Sequence, residues 1–110
     1  MANTFKNASL ADVSNSSYGT LYTTPSSTTT VVLGVALANK SGSAITAKVQ
    51  FSDSSGSTTR QLLEDVTIPG NTTLEVLSGQ KYILEASDAL KVQASAASSL
   101  DVVAGVMEIS

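Results

Sequence analysis

Nine carboxylates, six cationic side chains and many hydroxyls are the reactive groups this 110-residue chain offers; it holds no His, no Cys and no Trp. The acids are Asp12, Asp53, Glu64, Asp65, Glu75, Glu85, Asp88, Asp101 and Glu108. Glycoside hydrolysis needs two acids facing each other about 5 to 10 Å apart across a cleft. Most of these acids fall at turns or polar strand positions. The aromatics that would hold a sugar are limited to Phe5, Tyr18, Tyr22, Phe51 and Tyr82. Serine is abundant, but a nucleophilic hydroxyl needs a base, and the usual imidazole is missing. A Ser–Lys pair would have to use a residue such as Lys48 or Lys81, and each reads as a solvent-facing strand residue that protects an edge. The segment Asp53-Ser54-Ser55-Gly56-Ser57 alternates oxygen ligands about a glycine, yet lacks the further acids and the bidentate Glu of a calcium loop. It reads as a hairpin turn. The Asn-X-Ser/Thr triplets at Asn7, Asn15 and Asn71 carry little meaning in a chain where Ser and Thr fill 31 of 110 positions. No catalytic, cofactor-binding or metal residue is assigned, no cofactor is expected, and the chain is expected not to be an enzyme.

Composition sets the class. A 110-residue chain fits one domain, and residues 1–110 are read as a single β-sandwich domain whose polar residues 1–20 form a candidate N-terminal arm. Charged residues make up 14%, far below the usual quarter, which suggests that part of the surface faces protein rather than water. The net charge is −3 and the six basic residues are scattered, so no nucleic-acid partner is expected. The apolar run 31–38 is far too short for a helix to cross a bilayer, and no membrane partner is expected. The opening Met1–Lys6 has no basic segment leading into an apolar one, so no signal peptide is expected.

Period-two alternation then supplies the elements. Ile45, Ala47, Val49 and Phe51 share one face of a strand, with Thr46, Lys48, Gln50 and Ser52 on the other. Leu90, Val92 and Ala94 repeat the pattern, and Leu74 with Val76 and Tyr82 with Leu84 mark strands on either side of Ser78-Gly79-Gln80. Two strands are apolar on both faces. One sets Val31, Leu33, Val35 and Leu37 against Val32, Gly34, Ala36 and Ala38; the other sets Leu100, Val102, Ala104 and Val106 against Val103, Gly105, Met107 and Ile109. Such strands lie centrally in a sandwich or meet a second layer, which a neighbouring subunit can supply. Turns at about ten-residue spacing join the strands; Gly42 and Gly56 are expected to supply positive φ, and Pro69-Gly70 to preset two corners. The expectation is an all-β antiparallel sandwich, jelly-roll or Ig-like, of about eight strands. They span 5–13, 19–24, 28–39, 44–52, 58–68, 72–77, a bent pair 81–86 with 89–95, and 99–109. Residues 59–66 read as a strand bulged at Leu62-Leu63, with a short helical turn as the alternative.

Several stretches resemble small virion structural proteins of tailed bacteriophages. They are Met1–Ala8, Tyr22–Thr28 leading into the apolar strand, Val35–Asn39, Ile68–Val76, Gly79–Glu85 and Ala86–Val92. The likeness is a cadence covering most of the chain, and it departs from that cadence at Ser87, where glycine often precedes the Asp. The resemblance implies a β-sandwich in a symmetric homo-oligomer, with a trimer favoured. It would be made in the host cytoplasm and carried in the virion as a capsid decoration or cement, neck or tail-accessory protein. The implied partners are other virion proteins, such as the major capsid or neck and tail proteins. A carbohydrate- or receptor-binding sandwich is the alternative, which an exposed aromatic cluster or polar pocket would favour.

Overall fold

The structure, a computed structural model, describes residues 3–54, 56–77 and 80–110; Met1, Ala2, Ser55, Ser78 and Gly79 lie outside the described residues, and with them parts of the expected opening and of two expected turns. The described strands are β1 (Asn3–Leu10), β2 (Gly19–Thr23), β3 (Thr29–Asn39), β4 (Ile45–Asp53), β5 (Thr58–Ile68), β6 (Thr73–Glu75), β7 (Tyr82–Leu84), β8 (Ala89–Ala94) and β9 (Leu100–Ile109). All the pairings are antiparallel. They build two sheets, one in the order β1-β9-β3-β6 with β7 also on β3, and one in the order β2-β8-β4-β5. The expected two-sheet sandwich is the fold. Residues 59–66 lie in β5 as a strand, with no helical turn.

The core forms where the two inner faces meet. Val32, Val35 and Leu37 of β3 and Leu100, Val102, Ala104 and Val106 of β9 are buried against Ile45, Ala47 and Val49 of β4 and Leu90, Val92 and Ala94 of β8. Alternation on β4, β8 and β9 therefore reads as the sequence implies, though Phe51 is only half-buried beside the core. The strands predicted as a bent pair part company. β7 joins β3 in the first sheet, while β8 crosses to lie between β2 and β4 in the second. Their separation follows from the turn at Glu85–Asp88, where Asp88 N–H donates to the Glu85 carbonyl at 3.0 Å. Likewise β6 and β7 do not pair with each other; they bind opposite ends of β3.

The largest departure lies within β3. Its register on β9 shifts between Val32 and Gly34, leaving Leu33 without an opposite residue. A bulge of this kind inserts one residue and resets the alternation. Val32 thus points inward with Val35 and Leu37, while Val31 is half-buried and Leu33 exposed, so the four-residue bulky row expected on one face is split. The Val35 N–H freed near the bulge donates to Glu75 Oε1 at 3.0 Å, so a side chain from β6 completes the ladder.

Turn chemistry also differs from expectation. None of the described glycines has a left-handed backbone. That conformation belongs to Asp12, Ser27, Ser57, Asp65, Asn71, Ser87 and Ser98. Gly70 is needed for another reason: a Cβ there would lie 2.6 Å from the Gly42 backbone. The turn at 69–71 sits directly on the turn at 41–43, with Asn71 N–H donating to the Ser41 carbonyl at 2.9 Å. Buried Asn39 fastens both, donating to the carbonyls of Ser43, Ile68 and Pro69 and accepting from Ser41.

Candidate assembly surface

The two outer faces of the sandwich differ in chemistry. On the β2-β8-β4-β5 sheet, Thr46, Lys48, Gln50 and Ser52 stand beside Lys91 and Gln93, as alternation implies. Lys48 reaches Glu64 at 2.6 Å and Asp65 at 3.3 Å on β5. These two acids oppose Lys48 because β5 carries an extra residue between the Ala47–Val66 and Val49–Leu63 pairs. Leu62 is a second extra residue, placing a bulge where the sequence suggested one. Lys48 lies on an internal strand, not on the edge expected of it, and Lys81 lies outside the strands. Carboxylates against Lys48 hold its ammonium pKa above the ordinary lysine range.

The outer face of the other sheet carries an apolar row. Phe5 pairs with Met107, Met107 with Val31, and Val31 with Ile83, making one row across four strands. Phe5 is 72% exposed and Ile83 54%. A parallel row runs Ser9, Val103, Ala36, Glu75, in which Val103 is 55% exposed. Between the rows Gly105 pairs with both Asn7 and Gly34, and a Cβ on Gly105 would meet nothing within 4 Å. The face therefore carries an apolar row and a mixed row, with Asn7, Gly105 and Gly34 between them, Glu75 Oε1 set over Gly34, and Leu33 also exposed. An exposed apolar patch of this continuity marks a surface that meets another macromolecule. The sequence pattern marks Val32, Ala36 and Ala38, with Val103, Met107 and Ile109, as an apolar surplus; Val32 lies instead in the core, because the bulge turns it inward, and Val103 is exposed as expected. Phe5, Ile83 and Leu33 were missed, because their place depends on strand pairing and on the bulge.

Polar groups tie the two sheets together at one end. Tyr22 on β2 donates to Glu108 Oε2 at 2.5 Å and sits 2.8 Å from Thr30 Oγ1, while Lys6 Nζ lies 2.9 Å from Glu108 Oε1. Burial, then the neighbouring Glu108, pushes the Tyr22 phenol up to about 12. The Tyr22 hydroxyl, then Lys6, holds the Glu108 carboxyl below its ordinary range. At the sandwich's surface Lys40 bridges Asp12 and Asp101. Asp101 is held low by the Asp12 backbone N–H and then by Lys40.

Asp53, Glu85 and Asp88 bring carboxylate oxygens within 4.8 Å of one another. Buried Asp88 accounts for its own presence: its two oxygens accept from the backbone N–H groups of Ser54 and Glu85, both at 2.9 Å. It is a fastener between the β4–β5 and β7–β8 turns, and the former closes as a hairpin with Gly56 N–H donating to Asp53 Oδ1 at 3.1 Å. A groove of about 460 Å³ beside it is lined by hydroxyls such as Thr20, Thr23, Ser52 and Thr58, with no aromatic platform for a sugar.

No family model matches the chain, and no curated protein matches it in sequence. Solved structures do share its fold. A protein of the Bacillus endospore appendages, which form disulfide-linked pili, superimposes with a TM-score of 0.56 at 10% identity, over 98% of this chain and 88% of that one. A chain of the cyanophage Pam1 capsid asymmetric unit matches with a TM-score of 0.52 at 15% identity, over 96% and 83%. A chain of infectious bursal disease virus, Gx strain, matches with a TM-score of 0.50 at 9% identity, over 98% of this chain but 33% of that one. The fold is one these assembling proteins use.

Proposed function

We propose that this protein is a non-catalytic structural subunit of a tailed-phage virion, assembling on the capsid, neck or tail as a decoration, cement or accessory protein. The observation that carries the reading is the uncharged apolar row Phe5–Met107–Val31–Ile83 on the outside of one sheet, opposite a polar outer face on the other. A chain that stayed alone would gain nothing from exposing that row. The reading is supported by the fold's occurrence in a capsid chain and a pilus protein, and by the resemblance to small phage virion proteins. The strand orders β1-β9-β3-β6 and β2-β8-β4-β5 support a jelly-roll description, an architecture that viral capsid domains use. The chain has no cysteine, so its assembly is held by packing rather than by the disulfides named for the pili. A homo-oligomer is the working unit, with a trimer favoured by the phage resemblance, beside major capsid or neck and tail proteins. Peptide mass mapping of purified virions tests the reading. The chain should be present in a fixed ratio to the major capsid protein, and its absence from intact particles would overturn the assignment.

A further inference from the structure

We infer that β1 is a pairing edge through which two copies of this chain join their outer-row sheets about a two-fold axis. The inference rests on the reading of the chain as an assembling subunit and names one contact and its occupant. An open strand edge presents unpaired N–H and C=O groups, and proteins blunt such edges with bulges, charges or short strands. Three of the four edges here are blunted. On β5 there are two bulges, a left-handed Asp65, and the charges of Arg60, Glu64 and Asp65. The β2 edge is five residues long and bulged between Thr20 and Tyr22. The remaining edge of the first sheet is split into two three-residue strands, β6 and β7.

β1 carries only one of these devices, a single lysine. It runs eight residues in unbroken register on β9, and all but Ala8 and Leu10 of its side chains are exposed. Its one charge, Lys6, is engaged by Glu108. The occupant follows from the other edges. Within a second copy, only β1 itself offers a continuous edge of matching length among the described residues, so the contact is isologous and two-fold. A dyad at Asn7 sets each Lys6 opposite the copy's Ala8, so like charges do not face each other. Antiparallel pairing there sets Phe5 opposite the copy's Ser9, so the Phe5–Met107–Val31–Ile83 row runs on into the copy's Ser9–Val103–Ala36–Glu75 row. Being two-fold, the contact is distinct from a trimer built on the apolar face and links copies of neighbouring trimers.

The absence of native cysteine makes the test clean. Asn7 is exposed, so Asn7→Cys leaves the fold intact, which circular dichroism verifies. Under mild oxidation at micromolar concentration, most of the Asn7→Cys protein should become a disulfide-linked dimer, because residues on the dyad of an antiparallel pair approach within bridging distance. Thr59→Cys on the blunted β5 edge should form no disulfide-linked dimer under the same conditions. Asn7→Lys, which sets like charges on the axis, should weaken self-association about fivefold by light scattering. An Asn7→Cys protein that forms no disulfide-linked dimer, cross-links no better than Thr59→Cys, or bridges only to a different virion protein overturns the inference. If it fails while wild-type protein still assembles through Met107, the structural-subunit reading stands. If the protein is also missing from virions, both fall.

Discussion

Ser87 shows how a single residue can be legible in the sequence for its position and misread for its type. It is the third residue of the Glu85–Asp88 turn and has φ near 70°, where glycine normally sits. A serine at that φ marks a strained corner. Replacing Ser87 with Gly should relieve a conformation that costs an L-residue about 1 kcal/mol, against the extra entropy glycine loses on folding. We expect a net gain of about 0.5 kcal/mol in urea unfolding; a loss of stability would show that the Ser87 side chain does more than tolerate the turn. The Tyr22–Glu108 pair gives a second residue-scale prediction with a defined sign. Glu108 has a folded pKa below its unfolded one, so its stabilisation is present above the usual carboxylate range and is lost as pH falls through the folded value. Tyr22 is shifted the other way, to about 12, so its protonated form stabilises the fold below pH 10 and that contribution is lost between about 10 and 12. Glu108→Gln should flatten the acid limb of the stability profile, and Tyr22→Phe the alkaline limb. Thermal melts across pH would expose a wrong assignment if each variant kept the wild-type slope.

Among the elements, period-two alternation carried β4, β8 and β9 from sequence to structure with their faces correct, because each is regular where it enters the core. β3 was legible as a strand but not in its register. Nothing in Val31-Val32-Leu33-Gly34 marks which residue the bulge will extrude, since all the candidates are apolar or small and the choice is made by pairing with β9. The division of β7 from β8 was hidden for a similar reason: strand order is a long-range property, and the buried Asp88 that fixes the turn looks like any turn acid. Core depth gives the measurable consequence. Leu90 is fully buried and pairs with half-buried Phe51. Leu90→Ala should cost about 3 kcal/mol, while Phe51→Ala should cost about 1.5 kcal/mol, below the range for a fully buried aromatic. Denaturant midpoints of the two variants decide this; the reverse order would mean that the Phe51 ring carries more of the core than its exposure implies.

For the whole molecule, the unequal outer faces are the physical basis of the proposed assembly. Low charge and two doubly apolar strands announced in the sequence that some surface was reserved for protein, and β9 named half of it. The rest required the sheet: Phe5, Val31 and Ile83 lie 26 and 52 residues apart in sequence and become neighbours of Met107 only through register. A carboxylate in that row would be buried in any assembled state and solvated in the free subunit, so it should act on association and spare the fold. Met107→Asp, and Val103→Asp on the second row, should therefore leave the far-UV spectrum of the subunit unchanged and lower the light-scattering mass to no more than that of a dimer paired through β1. Lys91→Asp on the polar outer face serves as the control and should leave the mass alone. Loss of assembly from all three variants would place the contact elsewhere or make it nonspecific. Loss from the first two alone would tie assembly to the apolar face.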